Sequence, residues 1–128
     1  MRYLIDTHTF LWMTDEVHRL SPRVVSLLED RNNYLLLSSI SVAEIGIKYR
    51  KGLLTLPSPP AIFIPQKISY HIIHILPFDV RDALRMSELP LIHRDPFDRM
   101  MIAQALVYEL PVITKDSIFS NYSLTTIW

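Results

Sequence analysis

His93-Arg94-Asp95-Pro96-Phe97-Asp98-Arg99, running into Met100-Met101-Ile102-Ala103-Gln104-Ala105-Leu106-Val107-Tyr108, sets the layout of this chain. Asp followed by Pro is a strong helix start. The carboxylate caps the helix, and proline takes the first helical position, where its missing N–H costs nothing. Asp98 then falls at the third helical position. The residues after it are apolar almost all round, so this helix is buried on more than one side. Asp98 stands one turn into it and faces the inside or the rim of the fold. A carboxylate there also has a local explanation, as part of the cap and as a favourable charge at a helix N-terminus.

On either side lie short continuous apolar runs. Tyr3-Leu4-Ile5, Tyr34-Leu35-Leu36-Leu37, Ile72 to Leu76 and Pro111 to Thr114 read as strands, with Thr125 to Trp128 as a last edge strand. Runs that do not alternate suggest strands covered on both faces, as in a parallel sheet. Helical patterns separate them. One begins at Thr9, and a second starts at Ser21-Pro22 with Val24, Val25, Leu27 and Leu28 as its apolar face. Ser41-Val42-Ala43-Glu44 has the form of a capping box, opening a helix to about Arg50 that stops near Gly52. Pro57, Pro59, Pro60 and Pro65 predict short helical pieces with breaks, in which Ile62, Phe63, Ile64 and Ile68 need burial. Asp79 to Glu88 is a helix with Val80, Ala83, Leu84 and Met86 to bury. Strands alternating with helices predict an α/β fold with a central, mainly parallel sheet.

The 128 residues suit one domain spanning 1–128, without repeats or low-complexity segments. A 49% hydrophobic and 20% charged composition is that of a globular protein. Cysteine is absent, which excludes disulfides, thiolate zinc sites and a cysteine nucleophile. Thirteen basic residues balance thirteen acidic ones, so net charge argues neither for nor against nucleic acid. No apolar run reaches the roughly 18–20 residues that span a bilayer. The N-terminus has no signal-peptide pattern, and the cytoplasm is the expected location.

Four acids stand at comparable places. Asp6 follows the first strand, Glu44 opens the helix after the second, Asp98 opens the long buried helix, and Asp116 follows the strand to which that helix leads. In an open parallel sheet, ligands bind beyond the carboxyl ends of the strands. The pattern therefore predicts four carboxylates in one pocket. Two unit charges about 4 Å apart repel by roughly 4 kcal/mol at an effective dielectric of about 20. Such a cluster needs a cation among its members or protons on some of them. Oxygen ligands favour a hard divalent ion, Mg²⁺ or Mn²⁺, which can activate water for phosphodiester cleavage.

These motifs also carry a family resemblance. Leu4 to Trp12, Ser39 to Lys48, His93 to Ala105 and Thr114 to Phe119 resemble, in order, the motifs of PIN-domain proteins, close to the VapC-type toxins of bacterial toxin–antitoxin pairs. The resemblance implies a three-layer α/β/α fold and a metal-dependent endoribonuclease, with RNA as substrate. It also implies a small antitoxin partner and a homodimer. The family's catalytic and metal-binding acids fall on Asp6, Glu44, Asp98 and Asp116, with Asp6 and Asp98 the surest ligands and Asp116 often acting through water. Asp95 and Thr114 are candidates to support these acids from behind. Two positions depart from the family pattern: Ala43, where many relatives have tryptophan, and His71, near a common glycine turn. RNA must be drawn to an acidic pocket, so basic residues should rim it. Arg94, Arg99, Lys115 and the Lys48-Tyr49-Arg50-Lys51 run are candidates, and Trp12, Tyr49 and Phe63 could stack bases.

Rival readings are weaker. A phosphatase with an aspartyl nucleophile needs a second Asp where His8 stands. A receiver domain needs an acceptor Asp between Tyr34 and Ser39, and none is present. His71-Ile72-Ile73-His74 has zinc-like spacing but no further ligands. A PIN-like protein that acts mainly by binding, or that processes RNA outside any toxin pair, is the alternative to the toxin.

Overall fold

Strand β1 (Arg2–Ile5) lies at the centre of a five-stranded sheet, between β2 (Tyr34–Ser38) and β4 (Val112–Ile113). Strand β3 (Ile73–Leu76) pairs outside β2, and β5 (Thr126–Ile127) outside β4. All four pairings are parallel, with Ile5 level with Leu37 and Ile113. The computed structural model describes residues 1–128. Parallel strands need crossovers, and six helices supply them: α1 (Thr7–Asp15), α2 (Pro22–Glu29), α3 (Ser39–Arg50), α4 (Pro60–His71), α5 (Val80–Ser87) and α6 (Pro96–Val107). Two 3-10 turns, Val17–Arg19 and Ser117–Tyr122, complete the chain.

Successive residues of a strand point to opposite faces, and the sheet uses both. Tyr3, Ile5, Leu37 and Ile113 pack with Phe10, Val24, Ile45 and Phe63 on one side. Leu4 and Val112 pack with Met101, Ile102, Ala105, Phe119 and Tyr122 on the other. This is a three-layer α/β/α arrangement, and it explains the unbroken apolar runs Tyr3–Ile5 and Tyr34–Leu37 in the central strands. No helix is long and apolar enough to cross a membrane.

Three local expectations are corrected. Helix α3 begins at Ser39, directly off β2, not at Ser41. Ser38 is its cap, accepting the Ile40 N–H at 3.0 Å, so Ser41 and Glu44 lie inside the helix and form no capping box. The proline-rich stretch contains one continuous helix, α4, rather than broken pieces. Pro60 sits at its start, and Pro65 stands on its exposed side, where the carbonyl that proline leaves unpaired reaches water. Phe63 and Ile64 are buried there, whereas Ile62 is exposed. Helix α5 is turned over relative to its apolar pattern. Asp79 and Asp82 form a capping box, and Asp82 is fully buried against Gln104 of α6. Val80 and Leu84, 74% and 62% accessible, consequently face outward, as does Ala83, and only Met86 is partly buried.

Candidate active site

The carboxyl ends of β1, β2 and β4 open onto one edge, and each is followed there by a helix or turn. Asp6 caps α1: its Oδ1 accepts the Thr9 N–H at 2.8 Å, and its Oδ2 accepts the Thr114 hydroxyl at 2.6 Å. Thr114 Oγ1 in turn accepts the Asp116 N–H at 3.0 Å, linking the ends of β1 and β4. Burial pushes the Asp6 carboxyl up from the usual carboxylate range, against the hydrogen bonds that lower it.

Glu44 is buried one and a half turns into α3. Its Oε1 accepts the Thr7 hydroxyl and its Oε2 the Lys48 ammonium, both at 2.6 Å. That pairing changes the reading of Lys48. Its ammonium is committed to Glu44, and the hydrogen bond holds it protonated above the usual lysine range.

Asp95 caps α6, accepting the N–H groups of Phe97 at 2.9 Å and Asp98 at 3.5 Å. This is the geometry that Asp95-Pro96 implies. Asp98 follows with its carboxyl partly buried and is pushed up to about 7. Burial is the main cause and the Asp95 charge the next; His93 acts in the opposite direction, and Glu44 and Asp6 add further repulsion. The four acids thus share one edge, and Asp98 feels the charges of Glu44 and Asp6.

They do not form one coordination shell with equal claims. The ligand atoms that converge are those of His93, Asp98 and Asp116, all within 4.8 Å of one another. His93 Nε2 lies 2.9 Å from Asp98 Oδ2 and 3.2 Å from Asp116 Oδ2. His93 was not assigned a role from sequence. It begins the motif, but nothing in its spacing tells that the loop before α6 folds its ring between two acids. Carboxylate oxygens of Asp98 and Asp116 meet here, and burial, with negative charge from Asp95, Glu44 and Asp6, raises the Asp98 carboxyl to about 7. Oxygen donors with such a charge fit a hard divalent cation.

The basic candidates separate. Arg94 and Lys115 are exposed at this edge, the latter with its ammonium 6.0 Å from the Trp12 ring. Arg50 and Lys51 are exposed at the far end of α3. Arg99 is no RNA contact: it is buried, and its guanidinium reaches the carbonyls of Pro90 at 2.8 Å and of Met86, Leu89 and His93 at 3.5 Å. Phe63 is likewise core, not a stacking platform. Beside the acids, Thr7, Leu11, Trp12, Leu53, Leu56 and Phe63 line a groove of about 340 Å³. A second cleft, about 570 Å³ around Tyr34, Tyr70 and His74, lies at the opposite edge of the sheet and holds none of the four acids.

An all-parallel α/β/α protein with an acid-lined carboxyl edge is the class that fold and site define. The chain belongs to the PIN domain family, whose model matches residues 3–124; PIN domains are nucleases. No curated protein sequence matches the chain. Among solved structures, VapBC2 from Rickettsia felis, bound to a DNA fragment from its promoter, is similar at 18% identity over 99% of this chain and 98% of that one, with a TM-score of 0.73. FitAcB from Neisseria gonorrhoeae is 24% identical over 100% and 97%, with a TM-score of 0.65. VapBC-5 from Mycobacterium tuberculosis, a member of the VapBC family of toxin–antitoxin systems, is 19% identical over 98% and 97%, with a TM-score of 0.62.

Proposed function

We propose that this chain is a VapC-type toxin, a metal-dependent endoribonuclease that hydrolyses RNA phosphodiester bonds in the cytoplasm. The observation that carries the reading is the Asp98 carboxyl, buried at the start of α6 and crowded by other acids, on the carboxyl edge of a PIN fold. Asp98, Asp116 and Asp6 are the residues that would hold Mg²⁺ or Mn²⁺, with Glu44 contributing through the lone pairs that Thr7 and Lys48 leave free. When bound, such an ion supplies positive charge to the scissile phosphate and lowers the pKa of the attacking water.

The chain's own residues do the rest. Thr114 fixes the rotamer of Asp6 and the backbone of Asp116 with one hydroxyl. Lys48 balances the charge of Glu44. Arg94 and Lys115 are free to meet the RNA backbone.

The proposed partners are a small antitoxin and a second copy of the chain. The groove beside Trp12 and Leu53 supports the first, because Thr7 lines it and also touches Glu44, so a bound apolar peptide segment would cover the acids. The exposed Val80, Leu84, Leu91 and Ile92 support the second.

The test is RNA cleavage by purified, antitoxin-free protein with Mg²⁺ or Mn²⁺, repeated with chelator and with Asp98→Asn. The reading expects cleavage that both interventions abolish. Folded wild-type protein that cuts no cellular RNA with either ion would leave a binding module in its place.

A further inference from the structure

The ring of His93 is held on every side. Its Nε2 lies between Asp98 Oδ2 and Asp116 Oδ2, at 2.9 and 3.2 Å. Its Nδ1 accepts the backbone N–H of Asp95 at 3.2 Å. Phe119 meets the ring edge-on with centroids 6.1 Å apart, and the His93 backbone N–H donates to the Tyr122 hydroxyl. These contacts choose between two roles. A ring nitrogen that accepts an N–H bond carries a lone pair and no proton, so the neutral ring keeps its proton on Nε2. What faces the two carboxylates is then an N–H, which donates, and not a lone pair, which would ligate. Freeing Nε2 would put a proton on Nδ1 against the Asp95 N–H. That N–H cannot swing away, because Asp95 is pinned as the cap of α6.

Asp116 needs such a donor. It stands at the start of a short 3-10 turn, and its other carboxylate oxygen bonds only the local Ile118 N–H at 2.9 Å. Asp98 is set by a twelve-residue helix. Resting on the metal-site reading above, we propose that His93 is a positioning residue: its Nε2–H bridges Asp98 and Asp116, holds Asp116 at the site, and leaves the ion an all-oxygen ligand set. Residues that orient ligands in this way are worth about 10–100-fold in metal affinity.

The test uses the full chain. In the metal-free wild type, long-range ¹H–¹⁵N NMR reads the His93 tautomer, with Nε2–H expected. Mn²⁺ titration followed by electron paramagnetic resonance then compares wild type, His93→Gln and His93→Ala. Glutamine restores an N–H near Nε2, so its Mn²⁺ affinity should stay within about twofold of wild type, whereas alanine should lose about tenfold. Pulsed spectra of the wild-type Mn²⁺ complex should show no directly bound ¹⁴N. An Nδ1–H tautomer, a ¹⁴N coupling that disappears in His93→Gln, or alanine equal to wild type would each overturn the bridge. The tautomer is read on wild-type protein alone, so a variant that fails to fold does not block the test. Wild-type protein that binds no Mn²⁺ at all would instead sink the metal-site reading, and the positioning role with it.

Discussion

In metal-free protein the Asp98 carboxyl keeps its proton to about pH 7, whereas in the unfolded chain it releases it near pH 4. Between those values the native state binds more protons than the unfolded one, so stability falls as pH rises and levels off above about 7. Chemical unfolding in chelator at pH 5 and pH 8 should show a loss on the order of 2–4 kcal/mol for wild type and a much flatter response for Asp98→Asn. Adding Mn²⁺ at pH 8 should recover stability in wild type only, because the ion binds the native state. Equal wild-type stability at both pH values would remove the burial and crowding of Asp98 from which the site is argued. The two arginines of the motif predict opposite outcomes. Arg99→Ala removes a buried guanidinium that ties the carbonyls of Met86, Leu89 and Pro90 together, leaves Leu89 O without its donor, and should cost about 2–3 kcal/mol in a thermal or urea melt. Arg94→Ala should change stability by less than about 0.5 kcal/mol yet weaken RNA binding and reduce its salt slope by roughly one.

At the scale of elements, the ends of helices hold most of what can be engineered. Ile72 closes α4 in the left-handed conformation, with φ 54° and its side chain half exposed. A β-branched residue is strained there by about 1–2 kcal/mol. Ile72→Gly relieves that strain at some cost in unfolded-state entropy and should gain about 0.5–1 kcal/mol in a melt. Between α5 and α6, Asp82 Oδ1 and Gln104 Oε1 are both buried without a partner. Asp82→Asn supplies a donor in the same shape and should raise stability by about 1 kcal/mol, with loss of stability as the result that would refute it. The capping box survives that change, because the amide oxygen can still accept the Asp79 N–H.

For the molecule as a whole, the outward face of α5 and the loop after it exposes a run of large apolar side chains. Leu84 and Leu91 are 62% and 92% accessible. If a second copy covers them, sedimentation of wild type should give a dimer, and Leu84→Asp should give a folded monomer whose melting temperature no longer rises with protein concentration. A wild-type monomer at micromolar concentration would withdraw the homodimer from the proposed assembly.

Motif order and apolar runs were enough to establish a parallel α/β sheet, its helix caps at Asp95 and Ser21, and the edge on which Asp6, Glu44, Asp98 and Asp116 stand. These are local or topological matters: strand ends, cap chemistry and crossover direction follow from residues near in sequence. Folding in three dimensions settled the partners. It paired Lys48 with Glu44, buried Arg99 under the loop before α6, turned α5 over to sink Asp82, and put His93 between Asp98 and Asp116. Each of these depends on which side chains from distant segments meet in the same low-dielectric space, where an unpaired charge or donor is costly. Periodicity along the chain carries no record of such meetings.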